Sequence, residues 1–262
     1  MNAHLRAALR QLSTSVLLLA AGGSLWAADA PPQDRKTRLF IVSSYHREYL
    51  WSQATQKGLS AAMLKHGYLD TKDQAEQLAR EDAVETSRVV IKKVWMDTKR
   101  KYTDREIAES TARLAAEVHA FQPDLLLLGD DNAANYLGNL FLDTELPVVF
   151  WGVNNTPLTY HLVDALDRPG HTVTGVVELG YYQETLALLK ALVPEAETRA
   201  ILSDGSETGR SHDKAIEALA QEGRLPLQLV EVVATERFTV WKQRVLELQE
   251  TVDAFMIAQY NA

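Results

Sequence analysis

The sequence predicts an α/β protein with two lobes, each built on a doubly wound parallel sheet, and a ligand cleft between them. Three observations support this fold class. Short apolar runs alternate with helix-length segments, several of these runs lead directly into polar clusters, and a stretch without periodicity at residues 157–172 divides the alternation into two halves. Short apolar runs bounded by loops are typical of buried parallel strands. Parallel strands bring their following loops to one edge of the sheet, so we expect the polar clusters to lie together there.

The predicted elements follow the same order, strand then helix, in both halves of the chain. In the first half, strands are predicted at residues 39–42, 89–95, 125–128 and 148–151, and helices at residues 51–66, 104–121 and 133–141. In the second half, strands are predicted at residues 173–177, 199–202, 227–233 and 254–258, and helices at residues 182–192, 211–221 and 239–249. Within residues 104–121, Ile107, Leu114 and Val118 recur at helical spacing. This order implies two parallel sheets.

The N-terminal residues 1–30 have the pattern of a secretory signal peptide. Arg6 and Arg10 precede a short apolar stretch at residues 16–21, and small residues follow around Ala27 and Ala30. The apolar stretch is shorter than the roughly twenty residues that a membrane span requires, although an uncleaved anchor stays open as an alternative. We therefore expect export to the periplasm and no stable membrane insertion.

The rest of the chain is predicted to form a linker, two lobes and a connection between them. Residues 31–37 are the linker, residues 38–156 the N-terminal Rossmann-like lobe, residues 157–172 a hinge or crossover, and residues 173–262 the C-terminal Rossmann-like lobe. The last three residues follow directly on a predicted strand, where a further loop and helix would be expected. We therefore expect the C-terminal lobe to be truncated.

Composition narrows the function classes. A hydrophobic content of 46% and a charged content of 24% in 262 residues are those of an ordinary folded protein. The formal net charge of −8 argues against nucleic acid as a partner, because nucleic-acid binding relies on clustered Lys and Arg. The absence of Cys excludes disulfides, thiol catalysis and thiolate metal sites.

Polar clusters follow four of the predicted strands and provide the candidate binding residues. The run at residues 125–128 leads through Gly129 into Asp130, Asp131 and Asn132. The remaining candidates are Ser43, Ser44, Tyr45 and Trp51 after the first strand, Asn154 and Asn155 after the fourth, Ser203, Asp204, Ser206 and Thr208 in the second lobe, and Tyr260 and Asn261 after the last strand. Hydroxyls, amides and aromatic faces suit a cleft that binds a small molecule, and Asp130 or Asp131 could hold a ligand ammonium.

Six stretches of the sequence resemble one family. They are residues 40–51, 96–100, 123–133, 146–155, 175–178 and 203–209. Taken in order they are similar to the substrate-binding proteins of ABC transporters with the type I periplasmic binding protein fold, especially binders of aromatic amino acids, and to extracytoplasmic sensor domains of histidine kinases. The resemblance covers about residues 38–261, whereas members of this family usually continue further and complete the first lobe.

The resemblance implies a periplasmic protein that captures a small organic ligand, such as an amino acid or an aromatic compound, for an ABC permease. The alternative is a ligand-sensing protein that signals to a histidine kinase or another envelope partner. Neither alternative requires a cofactor or enzymatic activity. Closure of the two lobes around a ligand would provide the signal to the partner.

Structural roles compete with binding roles at several candidate residues. Asp131 could cap the helix that follows it, Asn154 and Asn155 could shape a turn, and Trp51 could belong to the core. The loop at residues 204–209 could cradle a phosphate, but it lacks the Gly-Lys-Ser/Thr ending of a P-loop, so helix capping is favoured.

Catalysis and metal binding are disfavoured by spacing. Asp130 and Asp131 could act as acid–base or magnesium-binding carboxylates, but the expected partner Lys is not visible in a later strand-end loop. The chain has no Gly-x-Ser-x-Gly elbow, and its His residues lack the spacing of metal ligands. We therefore predict a binding protein with no metal site.

Overall fold

The structure is a computed structural model that describes residues 35–260. The predicted signal peptide, most of the predicted linker and the candidate residue Asn261 lie outside the described residues. Residues 36–260 lie in one compact unit. Two sheets organise the described part of this unit, and each sheet defines one lobe.

The first lobe contains a six-stranded sheet with the order β2-β3-β1-β4-β5-β6. Its strands are β1 (Thr37–Ser43), β2 (Ala83–Glu85), β3 (Val89–Trp95), β4 (Leu125–Gly129), β5 (Val148–Val153) and β6 (Val173–Val177). Its helices are α1 (Leu50–Lys65), α2 (Lys72–Arg80) and α3 (Asp104–Phe121), and a short helical turn, Asp130–Asn132, continues as a π-helical turn, Ala133–Gly138. All strand pairs are parallel except β2 with β3.

The second lobe contains a three-stranded parallel sheet with the order β8-β7-β9. Its elements are α4 (Tyr182–Leu192), β7 (Thr198–Ser203), α5 (Glu207–Gln221), β8 (Gln228–Ala234), α6 (Phe238–Leu248) and β9 (Ala254–Gln259). Helix α5 begins four residues earlier than predicted, because the Ser206 hydroxyl accepts a hydrogen bond from the Gly209 N–H and caps the helix there.

The first sheet is covered on both faces, which explains its continuous apolar strands. Successive residues of β1 enter different cores: Phe40 and Val42 belong to one hydrophobic cluster, and Leu39 and Ile41 belong to the other. Side chains alternate between the two faces of a strand, so each face of the sheet packs against its own layer. The predicted doubly wound α/β class is confirmed.

Strand β6 corrects the predicted division of the chain. The sequence pattern assigns residues 173–177 to the second lobe, but β6 pairs with β5 in the first sheet, with Val148 opposite Val173. The preceding segment lacks periodicity because it is a crossover on the first lobe, where Tyr160, Leu162 and Val163 are buried in the first core cluster. The strand itself was predicted with the correct bounds, but its assignment to the second lobe was wrong, because an irregular but buried connection was taken for a lobe boundary.

The sequence pattern also missed α2 and β2. Helix α2 is polar overall and has one buried residue, Leu78, so too few apolar residues indicate it. Its start carries a capping box, in which Thr71 and Gln74 each accept from the other's backbone N–H. Strand β2 has only three residues and forms the antiparallel edge of the sheet. No helix among residues 35–260 combines the length and the apolar character needed to cross a membrane.

Candidate functional site

Three of the predicted polar clusters meet at the carboxyl edge of the first sheet. Ser43 at the end of β1 is paired with Gly129 at the end of β4, and Gly129 is paired with Trp151 in β5. The loops after these strands are therefore neighbours, as expected for parallel strands. Their polar side chains have different roles, which the hydrogen bonds reveal.

Ser44 and Asn132 hold the loops of the first lobe together. The Ser44 hydroxyl donates to the Gly129 carbonyl (2.7 Å) and accepts from the Ala133 N–H (2.8 Å). Thr98 donates to the Ser44 carbonyl (2.8 Å) and accepts from the Asn132 amide (2.8 Å). Because Ser44 is fully buried, this network connects the loops after β1, β3 and β4 and does not face a cleft.

Asp131 fixes the loop after β5. Its carboxylate accepts hydrogen bonds from the backbone and side-chain amides of Asn154 (3.3 and 3.0 Å), from the Asn155 N–H (3.0 Å) and from the Tyr160 hydroxyl (3.0 Å). The residue is buried. Four donors satisfy the carboxylate, so Asp131 is placed as an internal anchor and does not cap the turn that follows it.

Asp130 lies beside Asp131 in a different environment. Its backbone has a left-handed conformation with φ of 69°, and its carboxyl group accepts the Trp51 indole N–H at 2.6 Å. The side chain is 1% exposed. Burial raises the pKa of Asp130 to about 7, although the Trp51 hydrogen bond opposes this shift. Gly152 leaves room for the carboxyl group, because a Cβ there would lie 2.9 Å from Asp130 Oδ1.

Three candidate residues of the second lobe make contacts within that lobe. The buried Ser203 hydroxyl donates to Asp213 at 2.6 Å. The Asp204 carboxylate accepts from the N–H and the hydroxyl of Ser206, whose hydroxyl also caps α5. These contacts shape the turn into α5, and they support the capping role over a phosphate cradle.

The two lobes contact each other through hydrogen bonds at one end of α5 and at the end of β9. The Tyr45 hydroxyl pairs with the Thr208 hydroxyl at 2.8 Å, and the Tyr160 hydroxyl shares the proton that it donates to Asp131 with Glu207, at 3.3 Å. The Gln259 amide donates to the Tyr49 hydroxyl at 3.3 Å. Each pair joins a residue of the first lobe to one of the second, so the structure shows the lobes in contact.

A cavity of about 120 Å³ lies at this contact. It is lined by Tyr45, Tyr49, Trp51, Asn154, Glu178, Thr208, His212 and Gln259. The structure therefore brings four predicted residues, Tyr45, Trp51, Asn154 and Thr208, to one cavity. The other four lining residues were not among the predicted site residues.

A match to a family model identifies the family of this chain. Residues 79–262 match the family model described as ABC transporter substrate binding protein. The chain belongs to the ABC transporter substrate-binding protein family. No curated protein matches it significantly. The family predicted from the sequence is therefore confirmed.

Solved structures show the fold of this family member. It is similar to an ABC domain from Streptococcus pneumoniae in complex with L-Trp (TM-score 0.60, 20% identity), covering 85% of this chain and 65% of that one. Two Rhodopseudomonas palustris solute-binding proteins are also similar, one with 3,4-dihydroxybenzoic acid (TM-score 0.52, 14% identity, 85% and 54% covered) and one with benzoate (TM-score 0.54, 9% identity, 85% and 55% covered). The chain spans less than two thirds of each of these structures.

Glu178 and His212 are the carboxylate and the imidazole of the cavity wall, and the sequence pattern selected neither of them. Burial, reinforced by Asp131, raises the pKa of Glu178. Burial lowers the pKa of His212, whose Nδ1 pairs with the Tyr182 hydroxyl. Glu178 follows β6 directly, so the strand-end rule could have identified it if β6 had been assigned to the first sheet.

Lys99 is a further residue that the sequence pattern missed. Its ammonium nitrogen is buried without a hydrogen-bond partner among the described residues. It lies 4.8 Å from the Tyr45 ring centroid and 5.5 Å from that of Tyr49. Burial lowers the pKa of Lys99, although the carboxylates of Asp204 and Asp130 oppose this shift.

The end of β9 contributes less to the cavity than predicted. The ring of Tyr260 packs against Trp241 with centroids 5.1 Å apart, and its hydroxyl is buried without a partner among the described residues. Tyr260 is not a lining residue, whereas Gln259 is. Within residues 35–260, no group of three or more His, Asp or Glu side chains could hold a metal ion.

Proposed function

We propose that this family member is a periplasmic solute-binding protein that captures a small organic ligand between its two lobes and delivers it to an ABC permease. The observation that carries the proposal is the cavity where residues of both lobes meet, walled by Tyr45, Tyr49 and Trp51 from the first lobe and by Thr208 and Gln259 from the second. A ligand that contacts both lobes stabilises their contact, and a permease can recognise that state.

The size and chemistry of the cavity narrow the ligand class. About 120 Å³ is small compared with the roughly 300–1,000 Å³ of common ligand pockets, so a compact ligand fits best and a larger one requires the lobes to separate. Aromatic walls favour a planar or apolar group. The structures similar to this chain were solved with L-Trp, benzoate and 3,4-dihydroxybenzoic acid, which supports a single-ring aromatic compound or an amino acid as the first ligands to test.

Calorimetry and thermal unfolding of the purified protein test binding. We expect at least one compound among aromatic amino acids, aromatic amines and benzoates to raise the melting temperature, because a ligand that binds only the folded state stabilises it. If no compound of any of these classes binds, the proposed function is wrong. Loss of uptake of the bound compound from cells that lack the gene then tests delivery to a permease, and unchanged uptake contradicts it.

Two matched tryptophan variants locate the binding site. Trp51→Phe removes an indole that lines the cavity and donates to Asp130. Trp95→Phe removes an indole that donates to Asp82 at 3.1 Å and lies outside this cavity. We expect Trp51→Phe to weaken ligand binding at least tenfold and Trp95→Phe to leave it unchanged. Equal effects of the two variants would place the ligand elsewhere.

A further inference from the structure

Glu178 differs in its hydrogen bonds from Asp130 and Asp131, the two residues that the sequence indicates as partners of a ligand ammonium group. The Asp131 carboxylate already accepts four hydrogen bonds, and that of Asp130 accepts the Trp51 indole N–H. The Glu178 carboxylate has no hydrogen-bond donor among the described residues, although it is half-buried in the cavity wall. A half-buried carboxylate that no protein donor holds is open to a hydrogen-bond donor from a ligand.

The aromatic residues that line the same cavity as Glu178 suit a cation. Tyr45, Tyr49 and Trp51 line the same cavity, and the Tyr45 and Tyr49 rings meet edge to face with centroids 5.0 Å apart. Ring faces attract cations at centroid distances within about 6 Å, and the Lys99 ammonium already uses these two tyrosines in this way. Three rings together with an unpaired carboxylate form the kind of surface that recognises ammonium groups.

The surrounding charges favour the same sign of ligand. Asp130, Asp131 and Glu178 influence one another electrostatically, and Asp204 adds a further carboxylate near Lys99. Lys99 is a cation that acts on Asp130, Asp131 and Asp204, and burial keeps His212 toward its neutral form. The carboxylates therefore outnumber the cation among these groups, which favours a cationic ligand group at Glu178.

We propose that the ligand carries a cationic nitrogen that pairs with the Glu178 carboxylate and lies among the rings of Tyr45, Tyr49 and Trp51. This inference rests on the proposed function and specifies its ligand class. Amines and amino acids satisfy it, whereas benzoates and other carboxylates without a nitrogen do not.

Two matched series of compounds test the charge requirement. Phenethylamine, phenylalanine and 3-phenylpropionate share one skeleton as cation, zwitterion and anion, and tyramine, tyrosine and 3-(4-hydroxyphenyl)propionate repeat the series with a phenol. Calorimetry at pH 7.5 with the full chain, together with benzoate and aliphatic amines and carboxylates, is expected to show binding of an amine or amino acid at least tenfold tighter than the matching carboxylate.

The result has three outcomes. Preference for the nitrogen-bearing member supports the inference. Equal or tighter binding of a carboxylate without nitrogen overturns it and leaves the proposed function standing. Binding of no compound overturns the proposed function and this inference with it.

Glu178→Gln tests the named partner of the nitrogen. It keeps the size of the side chain and removes the charge, and we expect it to weaken binding of the cationic compound at least tenfold without lowering the melting temperature of the unliganded protein. Glu195→Gln, at an exposed position outside the cavity, is the matched control and should bind as the wild type does. Unchanged affinity in Glu178→Gln, with the fold intact, overturns the assignment.

Discussion

Replacing Asp130 with Asn is expected to change how the stability of the protein depends on pH. The carboxyl group is 1% exposed, and its pKa is raised to about 7 by burial. In the unfolded chain an Asp has a pKa of about 3.9. The folded state therefore binds this proton more tightly, so the stability that Asp130 contributes is fully present below about pH 4 and is lost as the pH rises through 7. One pKa unit corresponds to about 1.36 kcal/mol, so a shift of about three units amounts to ~4 kcal/mol.

Asn is the appropriate replacement because it isolates the titration. It does not ionise, it keeps an oxygen for the Trp51 indole N–H, and it tolerates the φ of 69° that position 130 adopts. Urea unfolding of both proteins between pH 4.5 and 8.5 gives the two free energies of unfolding. We expect Asp130→Asn to gain up to ~4 kcal/mol relative to the wild type across this range. Other titrating groups are common to both proteins, so a difference that does not vary with pH would refute the reasoning. Asp167→Asn, at an exposed position, controls for the loss of one acidic side chain.

Three further substitutions test other parts of the fold. Lys93 is buried and its pKa is lowered to about 8, below the unfolded value of about 10.4, so the free energy of unfolding should rise between pH 8 and 10. Lys93→Met should remove this rise in urea unfolding, and an unchanged dependence on pH contradicts the reasoning. Gly152→Ala places a Cβ at a position with φ of 67° and close to Asp130, which should lower the melting temperature by about 2–8 °C in calorimetry. An unchanged melting temperature would show that the backbone at position 152 is not strained by a Cβ. Tyr160→Phe removes one of the four hydrogen bonds to Asp131 and should cost about 1 kcal/mol in urea unfolding, with a loss above about 3 kcal/mol indicating that the whole loop had rearranged.

The strands of the first lobe were predictable because they are buried on both faces. Such strands appear in the sequence as continuous apolar runs, and the predicted runs at residues 125–128 and 148–151 fall within β4 and β5. Helix α2 and strand β2 were not predictable in this way. Helix α2 is short and polar overall and buries only Leu78, so it has too few apolar residues to indicate it, and β2 is too short to show a pattern.

The position of β6 shows a second limit of structure prediction from the sequence pattern. Apolar periodicity identifies regular elements, but it does not report where an irregular segment packs. Tyr160 and Leu162 lie in such a segment and are buried in the core of the first lobe. The segment carries the chain back to the first sheet, where β6 pairs with β5. This long-range pairing also brings Glu178 to the carboxyl edge of the first sheet, so the assignment of β6 to the wrong lobe and the omission of Glu178 have one cause.

The candidate site was predictable as a region, but not residue by residue. The strand-end rule indicates where polar side chains gather, and Tyr45, Asn154 and Thr208 do line one cavity. Which side chains face that cavity depends on the donors that surround each of them. The Ser44 hydroxyl already forms hydrogen bonds with neighbouring loops, and the Ser206 hydroxyl caps a helix. The binding roles themselves stay predictions.

The three acidic residues at this edge show why hydrogen-bond partners matter more than residue type. Asp131 has four donors and therefore shapes the backbone around it. Asp130 has the Trp51 indole N–H, and burial holds its pKa near 7, so at neutral pH it is divided between its neutral and charged forms. Glu178 has no donor among the described residues and lines the cavity. A ligand cation would meet the least satisfied carboxylate first, because that is where an added donor gains most. By the same accounting we propose the charge of one ligand group before the identity of the ligand, because the Glu178 carboxylate leaves a place for a donor, whereas the aromatic walls accept many shapes.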